Sequence, residues 1–281
     1  MRVITDSAAD FTNEELLEND IHCVRTQVMF GDESFTPGVD LTEEVFWQRL
    51  MAGEDAKTSQ PSPQTFLSEF EDAQQHNEEA VCICVSSALS GTIQSATLAA
   101  SMAEGSKIHI VDSLGGAAAQ KLLVMYACRL RDEGKLAAQE FIKKLEEVRS
   151  RIRLLACVDT LENLGRSGRI PKAIASLGNI AQLKPILEVS PDGRIVMGGK
   201  AIGRRRALDA LTKKIASFKI DPNHPIIPFY SYQKDNCLML LKKLRELGIQ
   251  INEELMSAIG TSIAPHIGPN AYGITFIEAE A

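Results

Sequence analysis

The sequence predicts an α/β protein, with an N-terminal, Rossmann-like parallel-sheet domain over residues 1–153 and a C-terminal α+β domain over residues 154–281. Three observations carry this expectation. Short apolar runs alternate with helical patterns through the first half, the order that builds a parallel sheet covered by helices. Ala80-Val-Cys-Ile-Cys-Val85 is apolar without interruption, which suits a strand buried on both faces. In the second half the pattern changes to a hairpin around Pro191-Asp-Gly193, flanked by helices.

Taken in order, Val3-Ile-Thr-Asp6 reads as the first strand and Cys23 to Phe30 as the second, ended by Gly31-Asp32. Asp40-Leu-Thr-Glu43 resembles a capping box that opens the helix of Phe46, Trp47 and Leu50. Ser62-Pro63 supplies an N-cap and a proline at the first helical position, followed by Phe66, Leu67 and Phe70. After the buried run, a turn leads into a helix from Thr92 to Met102, then the strand Ile108–Asp112 and a long helix from Gly116 to Asp132. Leu154 to Val158 reads as a strand, and Pro185–Ser190 with Arg194–Gly198 as the hairpin. Helices over Arg205–Phe218 and Lys234–Leu247 and strands over Ile226–Tyr230 and Gly273–Ile277 complete the expected elements.

Composition excludes several classes. A chain of 281 residues with 44% hydrophobic and 24% charged residues has enough apolar material for a substantial core. No run of about 18 apolar residues is present, so stable membrane insertion is not expected. The N-terminus has no basic segment followed by an apolar one, so no signal peptide is read and a cytoplasmic location is expected. The six cysteines form no CxxC pair and read as free thiols in a reducing compartment. Neither cysteines nor histidines fall at metal-ligand spacing, so no metal is expected. Net charge is −7, yet residues 151–214 hold thirteen Lys or Arg against five Asp or Glu. An acidic chain with one basic region argues against nucleic-acid binding and suits a docking face for an acidic partner, or an ordinary solvated surface.

Polar segments stand at predicted strand ends, where ligands of α/β sheets bind. The most informative is Ser86-Ser-Ala-Leu-Ser-Gly-Thr92, between the buried strand and a helix. A helix start favours an anion through its N–H groups and dipole. Ser90 and Thr92 add hydroxyls, and Gly91 permits close approach; a plain Ser/Thr cap is the other reading. There is no GxGxxG after the first strand, no GxxxxGK[ST] and no GxSxG. His266 sits in a loop stiffened by Pro265 and Pro269, where an imidazole suits a carboxylate or serves as a structural loop residue. A hydrolase using Ser90 and His266, with an aspartate such as Asp6, is the alternative function.

Seven segments together resemble the DegV family over nearly the full length. They are Thr5-Asp-Ser7, Thr58-Ser-Gln-Pro-Ser62, Ser86 to Thr92, Val111-Asp-Ser113, Gly168-Arg-Ile170, Lys184-Pro-Ile186 and His266-Ile-Gly-Pro269. The resemblance implies a ligand tunnel between two domains that holds a long-chain fatty acid. Thr58 and Ser90 then hold the carboxylate, with Ser59, Gly91 and Thr92 around it and His266 beside it. It implies a non-catalytic carrier with no cofactor. Some family members present the carboxylate to a separate ATP-binding subunit of a fatty-acid kinase, which makes the acyl phosphate. On that reading Arg169, Arg204, Arg205 and Arg206 are docking residues. The chain departs from the family pattern at Ser167, Ile202, Ile267 and Asn270.

Overall fold

The computed structural model describes residues 1–103, 105, 107–176 and 180–280. It divides into two compact units, Met1–Ser150 with Gly260–Ser262 and Arg151–Ile259 with Ile263–Ala281.

In chain order the first unit runs β1 (Arg2–Asp6), α1 (Asn13–Glu18), β2 (Ile21–Val24), β3 (Gln27–Phe30), β4 (Glu33–Phe35), α2 (Glu43–Met51), β5 (Ala56–Ser59) and α3 (Pro63–Gln75). It continues with β6 (Ala80–Cys84), α4 (Thr92–Met102), β7 (Ile108–Asp112), α5 (Ala118–Glu133) and α6 (Ala138–Arg151). Strands β2, β1, β6 and β7 pair in that order, all parallel. Every residue of β1 and β6 is buried, as the uninterrupted apolar sequence of β6 requires; β1 buries Arg2, Thr5 and Asp6 along with Val3 and Ile4. Phe66 and Phe70 of α3 and Ala96 and Ala99 of α4 pack with Ile4, Cys82 and Cys84. Thr5 alternates to the opposite face and meets Gln120 of α5 there. The expected parallel sheet between helices is therefore present.

Two expectations need correction. Cys23 to Phe30 is not one strand: β2 belongs to the parallel sheet, while β3 pairs antiparallel with β4 and β5 in a separate three-stranded sheet. The break falls at Thr26. Its N–H donates to Ser7 Oγ at 2.9 Å and its hydroxyl meets Ser262 Oγ at 2.8 Å, so the chain leaves the first ladder. The cap of α2 is Thr42, whose Oγ1 accepts from Val45 N at 3.3 Å. Asp40 instead accepts from Thr36 N and closes the preceding turn. A true capping box lies at Thr12 and Glu15, on the short helix α1.

The second unit runs β8 (Ile152–Cys157), α7 (Glu162–Arg166), α8 (Lys172–Ala175), β9 (Leu183–Val189), β10 (Ile195–Ile202) and α9 (Arg204–Ile215). β11 (Ile227–Tyr230), α10 (Asp235–Glu246), β12 (Ser257–Ala258), α11 (Ala264–Ile267) and β13 (Tyr272–Ile277) follow. Its sheet has the order β10-β9-β8-β13-β11-β12, antiparallel except where β12 joins β11. The hairpin turns as the Pro-Asp-Gly signal predicts: Gly193, at φ 79°, donates to Ser190 O at 2.8 Å. Leu211 and Ile215 of α9 and Leu240, Leu241 and Leu244 of α10 bury against Leu155, Ile274 and Phe276. The helix and strand periodicities thus converge on one apolar layer.

Candidate functional site

The order of the parallel sheet reverses at β1 and β6. The chain leaves β1 for β2 on one side and later enters β6 on the other. The crevice beyond the carboxyl ends of two such strands is where open α/β sheets bind ligands. Asp6 closes β1 at that crevice and is wholly buried. Its carboxylate accepts from Ala8 N at 2.9 Å, Val85 N at 2.7 Å and Gln120 Nε2 at 3.2 Å. Burial pushes its pKa up to about 6, against the opposing pull of those donors. Asp6 therefore ties β1 to β6 and α5, a role the sequence did not signal.

The loop after β6 folds back on Ser86, whose carbonyl accepts from Leu89 N at 2.9 Å and Ser90 N at 3.1 Å. This brings Ser90, Gly91 and Thr92 to the start of α4. Ser90 Oγ and Thr92 Oγ1 are 2.8 Å apart, and Thr92 N donates to Ser90 Oγ at 3.3 Å. Unlike α1, α2 and α3, each capped by a Thr or Ser hydroxyl, α4 begins at Gly91 without a side-chain cap. Thr58 and Ser59 end β5, in register with Val28 and Gln27 of β3. Ser62 Oγ accepts from Thr65 N at 3.2 Å, so the segment from Thr58 to Ser62 is fixed at both ends. Between them Gln60 Nε2 donates to Ser95 Oγ of α4 at 3.0 Å. That bond joins the Thr58 loop to the helix of Ser90 and Thr92. Gln60 lies inside the segment from Thr58 to Ser62, but nothing in the sequence marks Ser95 as its partner.

His266 and the arginines lie in the second unit. His266 is on α11, a four-residue turn opened by Pro265 and closed by Gly268 at φ 75°. Burial, and then the nearby Arg169 guanidinium, push its pKa down to about 4. Arg169 is half-buried, donates from Nη1 to Ser167 O at 2.6 Å, and is itself lowered by burial. Arg204, Arg205 and Arg206 differ from it in being exposed, on the first turn of α9. Asp159 takes Lys184 Nζ at 2.6 Å, Asn270 Nδ2 at 3.0 Å and, at 3.7 Å, Arg204 Nη2. This accounts for the Lys184 motif as a structural tie. It also accounts for Asn270, which holds φ 63°, a left-handed conformation that asparagine tolerates.

The hydrolase alternative finds little chemistry here. A histidine that protonates near 4 is a weak base at neutral pH, and both Asp6 oxygens are engaged by backbone N–H groups. The cysteines are all free, and burial pushes Cys23 and Cys237 up to about 12 and Cys128 and Cys157 up to about 11, far from nucleophilic thiolates. Among the described residues no cluster of three His, Cys, Asp or Glu is placed to hold a metal ion. No described helix is long and apolar enough to cross a membrane.

The model of the DegV family, described as "Uncharacterised protein, DegV family", matches residues 1–279. The chain belongs to the DegV family. A DegV domain-containing protein of Caldanaerobacter subterraneus is 28% identical over 276 residues, covering 98% of both chains. A DegV domain-containing protein of Clostridium acetobutylicum is 29% identical, covering 99% of this chain and 98% of its own. Among solved DegV structures, one of Thermus thermophilus described by its fatty-acid binding superposes with TM-score 0.87 at 28% identity, covering 99% and 100% of the two chains. DegV of Bacillus subtilis, described as a fatty acid binding protein, gives 0.82 at 26%, covering 99% and 98%. A stearic acid-binding protein of Eubacterium ventriosum gives 0.86 at 25%, with the same coverage. The resemblance read from the seven segments is thus borne out, and so is the mixed α/β fold.

Proposed function

We propose that this DegV-family chain is a non-catalytic carrier of a long-chain fatty acid, with the carboxylate held at Thr58, Ser59, Ser90, Gly91 and Thr92. The likeness to the fatty-acid-binding protein of Thermus thermophilus across 99% of the chain carries the reading. The local chemistry agrees. An uncapped start of α4, paired hydroxyls and a glycine offer donors to an anion and no base to activate a nucleophile. His266 enters as a neutral imidazole that donates a hydrogen bond to the head group.

Energetics divide the work. About 14 methylenes of a C16 tail, at ~0.8 kcal/mol each, offer at most about 11 kcal/mol before binding costs. A carboxylate at a helix start adds no more than about 2 kcal/mol. The tail supplies affinity and the hydroxyls select the head group. Native mass spectrometry of freshly purified protein is expected to show an adduct of fatty-acid mass. Ser90→Ala and Thr58→Ala are each expected to weaken fatty-acid binding by about tenfold while leaving the matching fatty alcohol unchanged. Equal loss for acid and alcohol would remove the carboxylate from this site.

The finer proposal is that the acid is presented to an ATP-binding kinase subunit. Arg204, Arg205 and Arg206 support it, because they are exposed and share their positive field with the start of α9. Arg169, half-buried in the same unit, belongs to the same proposed docking set. Co-purification of an ATP-binding partner with the parent and not with an Arg204→Glu, Arg205→Glu variant is the expected result. Retention by both would retire this docking face.

A further inference from the structure

We infer that Gln60 is a positioning residue: its carboxamide lies across Gly91 and sets the Thr58 loop against the hydroxyls that begin α4. The inference deepens the carboxylate-site reading and rests on it.

Three observations carry it. Gln60 Nε2 donates to Ser95 Oγ at 3.0 Å, and Ser95 is buried on the first turn of α4, its own N–H donating to Gly91 O at 3.2 Å. Gly91 has φ −77° and ψ 10°, a conformation open to any residue, so its backbone does not require glycine. Its surroundings do: a Cβ there would stand 2.0 Å from Gln60 Oε1 and 2.9 Å from Gln60 Cδ. The glycine is the space in which the carboxamide lies. Finally, Gln60 is flanked by groups that cannot drift. Ser59 is in register in β5 and Ser62 caps α3, while Pro61 disfavours a helical backbone at Gln60. A side chain that is exposed and makes one neutral hydrogen bond adds little to folding. Its effect is geometric, since it fixes the distance between Thr58 and the Ser90–Thr92 pair, and head-group selection depends on that distance.

Gly91→Ala provides the test. The clash falls on the far end of a flexible side chain, so the fold is kept and Gln60 is expelled. Dissociation constants for palmitate and for hexadecanol are measured on the full chain, stripped of lipid, for the parent, Gln60→Ala, Gly91→Ala, Ser95→Ala and Gln60→Ala with Gly91→Ala. Thermal midpoints serve as the control on folding. The three single variants are each expected to lose about five- to tenfold in palmitate affinity, keep hexadecanol affinity and melt within a few degrees of the parent. The double variant is expected to lose no more than Gln60→Ala alone, because Gly91 serves the head group through its backbone N–H, which alanine keeps, and the methyl then has nothing to displace. If Gly91→Ala costs as much again in the Gln60→Ala background, the methyl acts on the ligand itself and not through Gln60, and the inference that Gln60 works from its seat on Gly91 fails. If Gln60→Ala binds both lipids as the parent does, the inference also fails while the carboxylate site stands. A parent with no preference for palmitate over hexadecanol would instead refute the site on which the inference rests.

Discussion

Asp6 and His266 have opposite burdens, and pH separates them. Burial raises Asp6 from 3.8 to about 6, so ionising it costs more in the folded chain than in the unfolded one. Its contribution to stability therefore falls as pH rises from about 4 to about 6 and is level above that. In Asp6→Asn one acceptor oxygen replaces two, leaving a Val85 or Ala8 N–H unmatched at a cost of about 1–3 kcal/mol. Urea midpoints are expected to show the parent's advantage over this variant shrinking across that window. His266 is lowered from 6.5 to about 4, so acidification protonates the unfolded chain first and stability drops as pH falls between those values. His266→Gln is expected to remove that drop. The ring protons of His266, followed by NMR, are expected to show no titration step above pH 5; a step near 6.5 would remove the argument that the imidazole is held neutral by burial.

At the scale of elements, helix starts carry the predictions. Ser62 caps α3, and Ser62→Ala is expected to cost about 1 kcal/mol in chemical denaturation. Three exposed arginines on the first turn of α9 stand against the helix dipole, an arrangement that folding alone does not favour. Arg205→Glu is expected to raise the unfolding midpoint slightly while abolishing capture of an acidic partner; a variant that keeps its partner would leave the arginines as ordinary surface. Elements with strong local signals were legible in the sequence. The apolar run of β6, the Pro-Asp-Gly hairpin and the Ser62-Pro63 start each follow from one local rule. The split of β2 from β3 was not legible, because Ser7 and Ser262, distant in sequence, pull Thr26 out of the ladder. Asp40 misled for a related reason: its carboxylate serves the turn before α2.

For the molecule as a whole, head-group choice and tail affinity should be separable. Lengthening the lipid from C12 to C16 is expected to tighten binding by up to about fourfold per methylene, equally for acids and alcohols. A titration in which acid preference grows with chain length would contradict that separation. Of the candidate site, Ser90, Gly91 and Thr92 could be read because hydroxyls and a glycine between strand and helix follow a local rule. Gln60 with Ser95 and Asp6 with Gln120 could not, since each pair meets only through the fold. The segment Gly260–Ser262 is a further case. It completes the first unit, with Ser262 beside Ser7 and Thr26, and Gly260 donating its N–H to the buried Asp10 carboxyl. A chain severed after residue 150 would therefore lack three residues of its own core fabric. Expressed alone, that N-terminal fragment should melt early, and a synthetic peptide spanning residues 256–266 should restore part of the lost protection of its amides from hydrogen exchange.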